Sequence, residues 1–230
     1  MRFRGYLLGI AIVSFSLLMI YIFYGQIAVF VFGAMSDTEI EYREIKTGGM
    51  ASFVFKGFAI NEKKTGIGIF AEDADIRLSL SGADIRRAII DFNFKKVHFL
   101  KKAVEKPISY DNLDGLLAIP FSSDWTYPEL RGRLQLKKGG IRLENLMAKS
   151  DDLMMSFTGD LNDDRTIKSD IVIYFADKLI AKIPPELTNV ILKDEGGKWK
   201  SLSVKLEGNY ATPSIQVSGR LFRLNIGLKE

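Results

Sequence analysis

The sequence contains no cysteine and a single histidine, His98, among its 230 residues. Without cysteine, the chain forms no disulfide and offers no thiolate to a metal ion, and its composition does not identify a redox compartment. A catalytic triad or a multi-histidine metal centre would have to be built around His98 alone. His98 lies between Val97 and Phe99 in an alternating segment, which is typical of a surface position on a strand. We therefore expect no resident metal and no cofactor.

The sequence also lacks the common motifs of catalytic loops. There is no Gly-x-Ser-x-Gly elbow, and residues 196–198 (GGK) have neither the upstream glycine nor the following Ser or Thr of a phosphate-binding loop. Residues 160–164 begin like a calcium loop, but Arg165 and Ile171 stand where that loop needs Gly and Glu. A polar turn is the better interpretation of this segment. We expect the protein not to be an enzyme.

An excess of charge of one sign is missing as well. The chain has 32 basic and 28 acidic residues, and Arg2 and Arg4 alone account for two of the basic ones, leaving 30 against 28. A nearly balanced domain of this kind argues against a nucleic-acid partner.

A tract of three basic pairs, at residues 86–87, 95–96 and 101–102, interrupts this balance, and its members are candidates for contact with anionic lipid headgroups. The candidate residues are Arg86, Arg87, Lys95 and Lys96. The alternative is that they serve ordinary solubility. Pairing with Glu72, Asp75 and Asp91 would also neutralise them. Glu72, Asp73 and Asp75 also place two acids on one strand face, where a cation site and a solvated surface are both open interpretations.

The longest hydrophobic run lies at the N-terminus. Residues 5–35 contain no charged side chain, and this exceeds the roughly 20 apolar residues that span a bilayer. We predict an uncleaved signal-anchor helix over residues 1–35, since the run is too long for a cleaved signal peptide. Two arginines precede the run and three acids follow it: Arg2, Arg4, Asp37, Glu39 and Glu41. The positive-inside rule then leaves the N-terminus in the cytoplasm and the rest of the chain outside.

Beyond residue 35 the dominant period is two, which predicts short antiparallel strands. In a first β lobe, residues 36–105, we expect strands over residues 53–60, 66–70, 75–80 and 90–99. The phase changes between Phe55 and Phe58, which indicates a bulge near Gly57. The charged segment 101–112 is the predicted connection to a second lobe.

The second β lobe, residues 106–230, has the clearest alternation. Leu134 and Leu136 precede a turn at residues 137–140, and Ile141 and Leu143 resume on the same face. Further strands are expected over residues 153–157, 167–175, 199–207 and 214–224. Residues 177–192 predict a short helix, interrupted by two prolines, with a second turn starting at Pro185. The fold class expected is therefore mostly β, with an antiparallel curved sheet, an apolar face and a short helical insert.

Three segments of this lobe carry a resemblance to a known family. They read LRGRLQLKKGGIRLENLMAKSDDLMMSFTGDLN, then IPPEL, then SLSVKLEGNYATPSIQVSG. The alternating strands, the Gly159-Asp160-Leu161 ending, and Gly208 with Pro213 before the last strand resemble the C-terminal region of AsmA-like bacterial envelope proteins. The resemblance covers roughly residues 110–220.

The resemblance implies a single-pass inner-membrane protein with its domain in the periplasm, and a curved sheet whose apolar face holds acyl chains of phospholipid or another lipid. Its function would be lipid transport or outer-membrane homeostasis. The lipid-binding candidates are Leu134, Leu136, Ile141, Leu143, Leu153, Met155 and Phe157. The alternative is that these side chains form a closed core, and that the domain is a non-enzymatic scaffold or assembly factor that binds another envelope protein.

Overall fold

The computed structural model describes residues 26, 38–63, 66, 68–80, 87–100, 113–122, 125–181, 183–209 and 212–227. Within these residues the chain forms one antiparallel sheet of 13 strands, curved and unclosed, with three short α-helices. The prediction of a mostly β, antiparallel fold is confirmed. The predicted anchor at residues 1–35 lies outside the described residues, apart from Gln26. No helix in the described part of the chain has the length and apolar character to cross a membrane.

The elements follow one another closely along the chain. The strands are β1 (Thr38–Glu41), β2 (Glu44–Thr47), β3 (Ser52–Glu62), β4 (Gly68–Leu80), β5 (Ala88–Phe99), β6 (Thr126–Lys137), β7 (Gly140–Lys149), β8 (Leu153–Asn162), β9 (Thr166–Ala176), β10 (Lys193–Asp194), β11 (Trp199–Asn209), β12 (Ser214–Ser218) and β13 (Arg223–Gly227). The helices are α1 (Leu113–Ala118), α2 (Asp177–Ile180) and α3 (Pro185–Ile191), with 3-10 turns at Gly49–Ala51 and Ile119–Phe121.

The strand order is almost the order of the chain: β1, β3 to β9, β11, β12 and β13. β1 and β2 both pair with the same edge of β3, one after the other along that strand. In the same way, β10 and β12 both pair with one edge of β11. Because β5 pairs with β6, the sheet continues across the predicted boundary between the two lobes.

Two expectations about elements need correction, and one helix was missed. The strands predicted over residues 66–70 and 75–80 are one strand, β4. The strand predicted over residues 214–224 is two, because the chain turns between Ser218 and Arg223 to form β12 and β13. Helix α1 was not predicted. The break at the proline pair is confirmed, since α2 ends at Ile180 and α3 begins at Pro185.

Four neighbouring strands change phase at the same level. Their buried residues stand three apart instead of two: Phe55 and Phe58, Ala71 and Ala74, Phe94 and Val97, Tyr127 and Leu130. Gly57 (φ 60°) and Lys96 (φ 51°) have left-handed backbones at this level. The bulge predicted near Gly57 is wrong, because β3 and β4 keep the same pairing offset on both sides of Gly57 and no extra residue is inserted. The change of phase in the inward-facing residues, which suggested the bulge, is nevertheless present. The inward-facing residues therefore change phase at the same level in all four strands.

One row of apolar residues runs across eight strands, each residue opposite the next. This central row consists of Phe55, Ala74, Phe94, Leu130, Ala148, Met155, Ile173 and Leu202. Every member is at most 8% exposed. Because the sheet is single, its apolar side chains bury one another on one face, which we call the inner face.

The helices cover one end of this inner face. Leu116 of α1, Ile119 of the following turn and Leu179 of α2 are all buried in the same hydrophobic cluster as the strands. The backbone of α3 is also tied to the turn before β13, since Arg220 N donates to Ile191 O. These elements contact the strands near Phe99, Tyr127 and Ala176. We call this end of the inner face the capped end, and the opposite end, at the β4–β5, β6–β7 and β8–β9 turns, the hairpin end.

Tyr127 fixes the capped end with a buried hydrogen bond. Its side chain is fully buried, its hydroxyl donates to Pro120 O at 2.8 Å, and burial raises its pKa. We expect Tyr127→Phe to lower the free energy of unfolding by about 1 to 2 kcal/mol, because the Pro120 carbonyl then stays buried and unpaired. Tyr174→Phe, a half-buried control on the opposite face, should change it by less than about 0.5 kcal/mol. Equal effects in urea titration would contradict this assignment.

Candidate functional site

The two faces of the sheet differ in chemistry. On the outer face, charged side chains alternate in sign across the strands and form ion pairs between them. Arg133 Nε lies 2.7 Å from Asp91 Oδ1, and Lys205 Nζ lies 3.3 Å from Asp170 Oδ1. Asp160 accepts hydrogen bonds from Lys137 and Arg142, which hold the pKa of its carboxyl below the usual range. The outer face is therefore polar and suited to contact with water.

On the inner face, apolar side chains continue past the central row toward the hairpin turns. A border row comes first, with Phe92, Phe157 and Ile171 among its members. Two further rows follow, and together we call them the apolar strip. The strip consists of Leu78, Ile90, Leu134, Leu143, Leu206 and Ile215 in one row, and Leu80, Leu136, Ile141, Leu161 and Ile167 in the next.

The strip is more exposed than the rest of the inner face, because the helices cover only the capped end. β8 illustrates the change along a single strand: Leu153 is fully buried, Met155 is 6% exposed, and Leu161 is 42% exposed. Ile141 on β7, which lies opposite Leu161, is 38% exposed, and Leu80 on β4 is 53% exposed. The hairpin end of the inner face is therefore apolar and open.

The strip is long across the strands and narrow along them. From β4 to β12 it crosses eight strands, which at about 4.8 Å per neighbour gives a length of roughly 34 Å. Successive inward residues on one strand are about 6.6 Å apart, so the border row and the two strip rows together cover roughly 13 Å. These dimensions suit an extended aliphatic chain.

All seven lipid-binding candidates lie on the inner face, but in different surroundings. Leu134, Leu136 and Leu143 are half-buried in the strip, where Ile141 is exposed. Phe157 is half-buried in the border row. Leu153 and Met155 belong to the core near the capped end, where the helices and neighbouring strands leave almost none of their surface accessible.

The headgroup candidates are not brought together. Arg87 is exposed beside the start of β5, at the hairpin end, whereas Lys95 points to the outer face opposite Asp73 and Glu129. Lys96 forms an ion pair with Glu72, which raises the pKa of the lysine. Arg86 lies outside the described residues.

The remaining polar candidates are occupied by structural contacts. The His98 ring packs against Phe70 with 5.0 Å between centroids. Glu72 is paired with Lys96, and Asp75 binds Arg77 at 3.0 Å. Within the described ranges, no three His, Asp or Glu side chains are grouped so that they could hold a metal ion.

Sequence reasoning missed a small polar residue in the middle of the strip. Ser169 on β9 lies between Gly159 and Leu206 in the first strip row, and it is only 2% exposed. Its hydroxyl has no hydrogen-bond partner among the described residues. The alternation of Ile167, Ser169 and Ile171 was the signal that places this serine on the inner face.

Comparison of the chain with models of protein families, with curated proteins and with solved structures gives no match. The functional conclusion therefore rests on the chemistry of the inner face.

Proposed function

We propose that this protein binds acyl lipids on the apolar strip and carries them as a membrane-anchored, AsmA-like protein of the bacterial envelope. Residues 1–35 would hold it in the inner membrane, with the sheet in the periplasm. Its role would be lipid transport or outer-membrane homeostasis, without catalysis. The strip would serve as a groove that shields acyl chains while polar headgroups stay in water.

The observation that carries this proposal is the open hairpin end of the inner face. Leu80, Ile141 and Leu161 are all exposed, and the first strip row beside them is half-buried. Soluble domains seldom leave contiguous apolar surface of this kind uncovered unless it binds something. The polar outer face makes the contrast clear, because the same strands carry ion pairs there.

The free energy available is sufficient for transient binding. Each buried methylene contributes about 0.8 kcal/mol, so burying half of a sixteen-carbon chain contributes roughly 6 kcal/mol. Part of this is offset by the entropy lost on binding. Partial burial along the strip therefore suits a carrier that must also release its lipid.

The proposal can be tested on the full chain purified from a bacterial host in a mild, non-lipid detergent. We expect native mass spectrometry to show a stoichiometric acyl-lipid adduct, and solvent extraction of the same sample to identify it. A well-folded protein that stays lipid-free, even after incubation with phospholipid vesicles, would overturn the proposal.

A scaffold function is the second candidate, and the last hairpin favours it. Leu221 is 71% exposed and Leu224 is 43% exposed, and in the described part of the chain β13 pairs on one side only. An open edge of this kind accepts an added strand from another protein. A photoreactive residue at position 224 would then crosslink a defined envelope protein in cells. One at position 39 would not, because the opposite edge strand, β1, carries two glutamates and no exposed leucine.

A further inference from the structure

Ser169 is a polar residue at the centre of an apolar surface. It lies in the first strip row, with Gly159 opposite on β8 and Leu206 opposite on β11. Along β9 its neighbours on the same face are Ile167 and Ile171. None of these four residues has a side chain that accepts a hydrogen bond.

The hydroxyl of Ser169 is buried without compensation. Its oxygen has almost no accessible surface, and no group among the described residues is hydrogen-bonded to it. Buried side-chain hydroxyls are normally paired, because an unpaired one loses its bonds to water and gains nothing in return. An alanine at this position would avoid that cost, so the serine calls for a reason beyond folding.

Gly159 belongs to the same local arrangement. A Cβ built on Gly159 would lie only 2.6 Å from Ser169 Cβ and 2.9 Å from Lys168 O. Any larger residue on β8 would therefore displace Ser169 or separate the two strands. The lack of a side chain at Gly159 therefore leaves room for Ser169 Cβ in the row that borders the open part of the strip.

We propose that Ser169 donates a hydrogen bond to the ester carbonyl oxygen of an acyl lipid bound on the strip, so that the protein selects ester-linked lipids. This inference rests on the proposed function. The hydrocarbon of the acyl chain would pack against Leu206, Ile167 and Ile171. The ester carbonyl is the hydrogen-bond acceptor of the lipid that lies nearest to this hydrocarbon. Because this hydroxyl has almost no accessible surface in the lipid-free protein, the contact requires a rotation about the Cα–Cβ bond of Ser169 when the lipid binds.

The position along β9 fits an ester. Ser169 lies four residues from Arg165 in the β8–β9 turn, a distance of about 13 Å along the strand. A lipid whose ester lies at Ser169 would direct its headgroup past Ile167 to the solvent at this turn. Its acyl chain would follow the strip across the strands.

The experiment compares two phosphatidylcholines of identical chain length, one with ester-linked and one with ether-linked chains. The full chain in detergent is incubated with an equimolar mixture, and native mass spectrometry gives the ratio of the two adducts. Since one neutral hydrogen bond is at stake, we expect about a five-fold preference for the ester lipid. Ser169→Ala should bring the ratio close to one without lowering the melting temperature.

Ser156→Ala is the matched control, because Ser156 lies on the outer face of β8, and it should keep the wild-type preference. Equal loading of the two lipids by the wild type, or a preference that survives in Ser169→Ala, would overturn the inference and leave the proposed function standing. Failure of both lipids to load would instead overturn the proposed function.

Discussion

Replacing Leu161 with Asp is expected to remove bound lipid while the protein stays folded. Leu161 is 42% exposed at the hairpin end of β8 and lies opposite Ile141 and Ile167 in the second strip row. A carboxylate here remains in water in the lipid-free protein, so it should lower the free energy of unfolding by less than about 1 kcal/mol. A bound acyl chain would have to desolvate that charge, and we expect lipid occupancy to fall at least ten-fold.

The control for Leu161→Asp introduces the same charge on the other face. Gln135 points outward on β6 opposite Arg142, so Gln135→Asp adds a carboxylate beside a cation and away from the strip. We expect this variant to retain its lipid. The measurement is lipid content by extraction, paired with chemical denaturation of each variant. Unchanged lipid content in Leu161→Asp would show that the strip is not the binding surface.

Replacing Ile173 with Asp is expected to prevent folding altogether. Ile173 is 1% exposed in the central row, between Met155 on β8 and Leu202 on β11. The neighbouring side chains offer no cation to pair with a carboxylate, so the penalty should exceed about 5 kcal/mol. The free energy of unfolding of an ordinary domain is only about 5 to 15 kcal/mol, so a penalty of this size is enough to prevent folding.

Graded substitutions at Ile173 keep this prediction measurable. We expect Ile173→Val to lower the free energy of unfolding by about 1 kcal/mol and Ile173→Ala by about 2 to 5 kcal/mol. Urea titration followed by the fluorescence of Trp125 and Trp199, the two tryptophans of the chain, gives both values. A folded Ile173→Asp protein would mean that the central row is open to water, contrary to its burial.

The sequence predicted those features that depend on neighbours along the chain. The alternation of Leu134, Leu136, Ile141 and Leu143 correctly places all four side chains on one face, because a tight hairpin at Gly139 and Gly140 pairs them directly. The interruption at the proline pair was also correct, since proline cannot continue the preceding helix.

The accessibility of the face could not be predicted in the same way. Leu153 and Leu161 share one strand and one face, yet the first is fully buried and the second is 42% exposed. The difference comes from α1, α2 and the turn after α1, which cover only the capped end. α1 has six residues with a glycine inside, too short to show a helical period. The division between core and strip is thus a tertiary property.

The nearly sequential strand order has a consequence for how such a protein can change over evolution. Almost every strand pairs with the strand next to it in the chain, so a duplicated or deleted hairpin alters the sheet without rethreading any other segment. Each added pair of strands would lengthen the apolar surface by about 10 Å. Contacts close in sequence also favour rapid folding from local nuclei. Duplication of a hairpin within the gene can therefore change the length of the apolar surface in regular steps.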